Sequence, residues 1–145
     1  MISQRARYAF KAMVALARVQ GTKGLQIKEL ATQERLPKKF LEQILLALKS
    51  AGYITSRRGR DGGYELLKPV DLIYIGPMLR AIDGPIAPLP CLSRTAYKRC
   101  ADCRSEQKCE VRLAFAKAYA EYLTALETTS LAQVMHSADT ALPPV

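Results

Sequence analysis

The sequence predicts a mainly α chain that carries one small β-hairpin: a head of three helices, the hairpin, and a single long helix further on. Three observations carry that expectation. Apolar residues recur at helical spacing in successive stretches of the first fifty residues, a glycine-rich turn then separates two β-prone runs, and a long amphipathic stretch follows the last cysteine.

The first helix is expected over Ser3 to Val19, where Ala9, Ala12, Met13, Leu16 and Ala17 repeat at i, i+3, i+4, i+7 and i+8 and so share one face; Gly21 and Gly24 end it. A shorter helix follows in IKELATQER, with Ile27, Leu30 and Ala31 inward and Arg35 near its end. Pro37 is expected to open the third helix, because a first helical position has no use for the missing N–H. In that helix Phe40, Leu41, Ile44, Leu45 and Leu48 form the apolar side, Lys39, Glu42, Gln43 and Leu46 the other, and Gly52 closes it. Two helices joined by a tight turn, the second with a polar side, make a helix-turn-helix.

Tyr53 to Arg58 and Tyr64 to Lys68 are the β-prone runs, and the glycines of Gly59-Arg60-Asp61-Gly62-Gly63 allow the backbone angles of a tight hairpin. Arg57, Arg58 and Arg60 lie at or near its tip. A basic hairpin directly after a helix-turn-helix is the order of a winged helix. Ile73 to Ile82 reads as a short helix, ended by Asp83-Gly84-Pro85 and a link bearing Pro85, Pro88 and Pro90. The long helix runs from about Glu110 to Thr128, with Val111, Phe115, Ala118, Tyr122 and Leu126 along one stripe. Such a stripe suits pairing with a second copy in a two-fold homodimer, or packing back on the chain's own first helix.

Charge separates the two halves. Of the net +9, residues 1–70 carry all of it, with fourteen Lys or Arg against five Asp or Glu, while residues 71–145 carry eight of each. A lopsided excess of this kind points the first half at a polyanion, double-stranded nucleic acid above all. At 145 residues the chain can bury a core without disulfides. No apolar run approaches the ~20 residues of a bilayer span, and MISQRARYAF lacks a secretory signal, so no membrane association and a cytoplasmic location are expected.

All four cysteines, Cys91, Cys100, Cys103 and Cys109, crowd into CLSRTAYKRCADCRSEQKC. In a reducing compartment such a cluster is a ligand set or a redox sensor before it is a disulfide framework. Thiolates are ligands that iron and zinc prefer, so the stretch could hold a two-iron or four-iron cluster or a tetrahedral zinc. Only Cys100-Ala101-Asp102-Cys103 has the short pair spacing of zinc knuckles, which favours iron–sulfur over zinc. A bare thiol or disulfide switch is the third option, and Arg94, Lys98, Arg99, Arg104 and Lys108 would lower thiol pKa values under any of the three.

An enzyme reading fares poorly. A thioredoxin-type pair needs a strand before Cys100, where the chain has a proline link and LSRTAYKR, and His136, the only histidine, lies near the C-terminus with no Ser-His-Asp or Cys-His arrangement in reach.

LEQIL at 41–45, AGYITSRRGRDGGYEL at 51–66, RAIDGP at 80–85, the cysteine stretch and SLAQV at 130–134 together resemble the Rrf2 family of bacterial winged helix-turn-helix transcription regulators, the group of IscR, NsrR, RirA and CymR, over about Met1 to Val134. The resemblance implies a homodimer on a palindromic operator, with the third helix in the major groove and the wing near the minor groove. It carries base readout to Glu42 and Gln43, since Gln can pair with adenine and Glu can accept from cytosine. Lys38 and Lys39 stand where several relatives have small hydroxyl residues. Arg57, Arg58 and Arg60 are then phosphate or minor-groove contacts.

For the cysteines the resemblance implies an iron–sulfur cluster on three thiolates and a fourth ligand from elsewhere, or, as in CymR-like members, sensing through a partner with structural cysteines. Cys103 and Cys109 resemble the last two of the triad and Cys91 the first, while Cys100 is extra: it is the fourth ligand, or the middle one with Cys103 spare. Where some relatives ligate with a histidine or an acidic residue, this chain has Arg112, Arg7 and Lys11. The expected division is a winged helix-turn-helix DNA-binding domain over 1–84, a cysteine-rich cluster-binding loop over 85–109, a dimerisation helix over 110–134 and a disordered tail over 135–145.

Overall fold

The computed structural model describes residues 2–139. Among them are six α-helices and one two-stranded antiparallel sheet. Helix α1 (Gln4–Arg18) opens at Ser3, whose hydroxyl accepts from the Ala6 amide at 2.9 Å, and it buries Ala9, Ala12, Met13 and Leu16 on the predicted face. Helix α2 (Ile27–Glu34) begins in a capping box, with the Gln26 amide donating to the Glu29 carboxylate at 2.8 Å.

The turn into α3 (Lys38–Ser50) is three residues long. Arg35 takes the left-handed conformation at φ 53°, the amides of Arg35 and Leu36 return to the carbonyls of Thr32 and Ala31, and the Leu36 side chain is buried. Pro37 lies one place before the helix, as its N-cap, and not at the first helical position; its backbone, at φ −62° and ψ 122°, is extended. The end of α3 repeats the same closure with the residue best suited to it: Gly52 sits at φ 75° and the Tyr53 amide reaches the Leu48 carbonyl at 3.0 Å. Leu41, Ile44, Leu45 and Leu48 are buried in the common core, and Phe40 meets Tyr8 of α1 edge to face at 5.6 Å.

Strands β1 (Ile54–Arg57) and β2 (Gly63–Leu66) pair in the register Ile54↔Leu66 to Arg57↔Gly63, leaving residues 58–62 as the tip. A third strand position, missed in the sequence, is Leu25, which exchanges both amide hydrogen bonds with Tyr64. It anchors the hairpin to the chain between α1 and α2.

Helix α4 (Ile75–Asp83) follows a short 3-10 turn at Val70–Leu72 and starts two residues later than the periodicity suggests, because Ile73 and Tyr74 are extended. They meet the segment after α5 (Glu110–Thr128): Ile75 donates to the Thr129 carbonyl, Leu131 to that of Ile73, and Tyr74 bridges Ser130. There the chain breaks, and α6 (Leu131–Asp139) begins. Helix α5 has the expected bounds, but the dimerisation helix assigned to 110–134 is divided between α5 and α6, and residues 135–139, expected in a disordered tail, belong to the second. The reason is a capping box: the Ser130 hydroxyl accepts from the Gln133 amide while the Gln133 side chain accepts from the Ser130 amide. Leu131 is fully buried in the core of the head, and Val134 and Met135 pack against it. Residues 140–145 lie outside the described residues. No helix among the described residues is long and apolar enough to cross a membrane.

Candidate DNA interface and thiol site

Helix α3 presents its outer side because its inner side is committed to the core. Lys38, Lys39, Glu42, Gln43, Leu46 and Lys49 are all exposed. Lys38 and Glu42 face each other one turn apart at 3.9 Å, a weak pair in water that another charged partner displaces cheaply. At the far end the Lys49 ammonium donates to the Ser56 hydroxyl at 2.6 Å, tying α3 to β1. Helix α3 and the wing are thus fixed to each other as well as to the core.

The three wing arginines are not equivalent. Arg57 leans across the sheet to Glu65 at 3.4 Å, whereas Arg58 and Arg60, in the tip, are exposed and have no carboxylate within ion-pair distance among the described residues. The tip itself depends on glycine. A Cβ on Gly62 would stand 2.3 Å from the Arg57 carbonyl oxygen. One on Gly63, at φ +143°, would stand 2.7 Å from the Leu25 backbone.

The cysteine loop starts from an anchored end. Cys91 is buried within a 3-10 turn at Pro90–Leu92 that packs on α5, and the Pro90 carbonyl accepts from the amides of Ser93 and Lys98, folding the loop back over its own start. Cys100, exposed, lies near Cys91. Its thiol pKa lies above the ordinary cysteine value, first through partial desolvation by the loop and then through Cys91, Asp102 and Cys103 nearby. Cys103 is half-buried, and the Arg99 guanidinium donates to its carbonyl at 2.9 Å. Tyr97 donates to Glu106 at 2.7 Å across the loop. Cys109, also half-buried, is the N-cap of α5.

The structure therefore gathers Cys91, Cys100 and Cys103 in one neighbourhood of the loop. It does not bring three Cys, His, Asp or Glu side chains into metal-ligating positions among the described residues. In kind, the donors fit an iron–sulfur cluster: sulfur ligands in one loop, with Arg99 and other cations to balance thiolate charge.

Behind the loop, α5 is joined to α4 by an ion pair that sequence reasoning passed over, Arg80 to Glu127. The Arg80 hydrogen bond holds the Glu127 carboxyl below the usual glutamate range, with Arg94 of the cysteine loop adding to it. Gly76 makes the approach possible, since a Cβ there would meet the Glu127 carboxylate at 3.1 Å and the Leu126 carbonyl at 3.2 Å. The rest of α5 is open. Leu123 is its one buried residue, and Val111, Leu113, Phe115 and Tyr122 are 46–59% exposed.

A helix-turn-helix with a basic wing, followed by a cysteine loop and a largely uncovered helix, defines a DNA-binding regulator. The chain belongs to the Rrf2 family, whose family model, described as an iron-dependent transcriptional regulator, matches residues 2–137. An rrf2-like HTH-type transcriptional regulator of Rhodobacter capsulatus is 45% identical over 144 residues, covering 97% of this chain and 96% of that one. Among solved structures, CymR, the global cysteine regulator of B. subtilis, superposes with a TM-score of 0.74 at 29% identity, over 94% of this chain and 97% of that chain. T. potens IscR shares the fold with a TM-score of 0.74 at 22% identity, over 99% and 93% of the two chains. The chain is a transcriptional regulator of the DNA-binding helix-turn-helix type, not an enzyme.

Proposed function

We propose that this regulator acts in the cytoplasm as a homodimer on a palindromic operator and senses iron, redox or nitric oxide state through an iron–sulfur cluster held by the cysteine loop. The observation that carries the reading is the gathering of Cys91, Cys100 and Cys103 on a loop that packs against α5, which is itself joined to the DNA-reading head through Arg80 and Glu127.

On the DNA side, α3 enters the major groove, Glu42 and Gln43 read base edges, and Lys38 and Lys39 approach the backbone or neighbouring bases. Arg57, Arg58 and Arg60 hold phosphates or enter the minor groove. The open stripe of α5, Val111, Phe115, Ala118 and Tyr122, pairs with its copy in the second subunit, which doubles the reading head and matches the two-fold symmetry of the operator.

On the sensing side, Cys91, Cys100, Cys103 and Cys109 are the ligands. A cluster, when bound, supplies a centre that oxidants, nitric oxide and iron scarcity dismantle. The chain's own contribution is mechanical: Cys91 is held in a turn against α5, so drawing the other thiols toward it orders the loop, and Arg80, Glu127 and Gly76 transmit the position of α5 to α4 and the head. Protein purified without air should be brown and contain iron and acid-labile sulfide, and loaded and cluster-free dimers should differ in affinity for operator fragments. Equal binding of every promoter fragment by both forms ends the sensing proposal.

A second reading is favoured by the nearness of Cys91 to Cys100: sensing by thiol oxidation, in which the two thiols lose two protons and two electrons to a peroxide and form a disulfide. Zinc on the same thiols, or a partner molecule, are its relatives. All three give colourless protein, and metal analysis with thiol counting separates them.

A further inference from the structure

Leu46 has no role in the head's core. It is 66% exposed, more than any other large apolar side chain among the described residues, while its neighbours Ile44, Leu45 and Leu48 on the same helix are fully buried. Single exposed leucines are ordinary; the place of this one is not. Everything else on the outer side of α3 is polar: Lys38, Lys39, Glu42, Gln43 and Lys49. Leu46 lies three and four residues past Gln43 and Glu42, which puts it on their side of the helix about 5 Å further along the axis. It stands between those two residues and Lys49, whose ammonium is occupied by Ser56 of the wing. A helix carrying that side into the major groove brings Leu46 to the base edges, one or two base steps from the pair read by Gln43.

The major groove offers one apolar group, the 5-methyl of thymine. We infer that Leu46 is a specificity-determining residue that packs on a thymine methyl in each half of the operator. The inference rests on α3 being the reading helix, as proposed above. It assigns to an apolar side chain the thymine methyl, the one feature of a base edge that hydrogen-bonding residues cannot read.

The test uses full-length protein and a random duplex pool. Selection with the wild type defines a half-site, and each of its thymines is then replaced by deoxyuridine, which removes only the methyl. One thymine per half-site should lose about fourfold in affinity on replacement, the value of one buried methyl-sized group. The L46A variant should bind the thymine and deoxyuridine duplexes equally. It keeps its fold, because Leu46 is exposed and alanine is the better helix former. If no thymine in the selected site is sensitive to replacement, or L46A keeps the sensitivity, the inference is overturned while α3 as reader stands. If the wild type selects no site at all, both fall together.

Discussion

Arg35 shows how much the turn of the helix-turn-helix asks of one residue. It is the only non-glycine with positive φ among the described residues, and it holds that conformation so that Leu36 can drop into the core and the chain can turn into α3. A side chain there costs about 1 kcal/mol that glycine avoids. Arg35→Gly should therefore raise stability by roughly that amount, read as a rise of a few degrees in Tm. Arg58, exposed at the wing tip with no carboxylate beside it, is a candidate phosphate contact of another kind. Arg58→Ala should weaken binding to all duplexes alike and reduce the salt slope by about one unit; an unchanged slope in a titration at rising salt means the tip is no electrostatic clamp.

The elements are held by a few close approaches, and two of them can be tested. The hairpin is pinned by the bridge between Leu25 and Tyr64, and Gly63 lies against the Leu25 backbone with no room for a side chain. Gly63→Ala should cost on the order of 1–3 kcal/mol through strain and displacement, visible as a lower urea midpoint. Helices α4 and α5 are joined by Arg80 and Glu127, both partly exposed, so their pair contributes modestly. Because the Glu127 carboxyl titrates below its unfolded value, that contribution is complete above the ordinary glutamate pKa of about 4.3 and fades as pH falls through the lower folded value. Glu127→Gln should lower stability at neutral pH by less than about 1 kcal/mol and flatten the acid limb of a stability-against-pH curve. An acid limb identical to that of the wild type would show the pair to be idle.

At the scale of the whole molecule, the basic charge and the exposed helix α5 belong to different halves of the chain. The basic excess lies in residues 1–70, with α3 and the wing, while α5 exposes four large apolar side chains, Val111, Leu113, Phe115 and Tyr122. Phe115, nearly half exposed on that helix, is the place to test assembly: Phe115→Asp should turn the proposed dimer into a monomer by light scattering, and a wild type that is itself monomeric removes the dimer from the account. Most of this architecture was legible in the amino-acid order. The helices at 4–18, 27–34, 38–50 and 110–128, the hairpin and its arginine tip follow from local rules, a 3.6-residue apolar period, capping residues and glycines at turns, which act between near neighbours. Even the capping box at Ser130 and Gln133 was readable, and it marks a second helix, α6, within the stretch 110–134 expected to serve dimerisation. Contacts between distant residues were not readable. That Cys100 comes near Cys91, that Glu127 meets Arg80 over Gly76, and that Leu131 returns to the head depend on which surfaces meet after the chain has folded. Residue spacing constrains a helix turn by turn, but only packing decides which side of that helix stays in water.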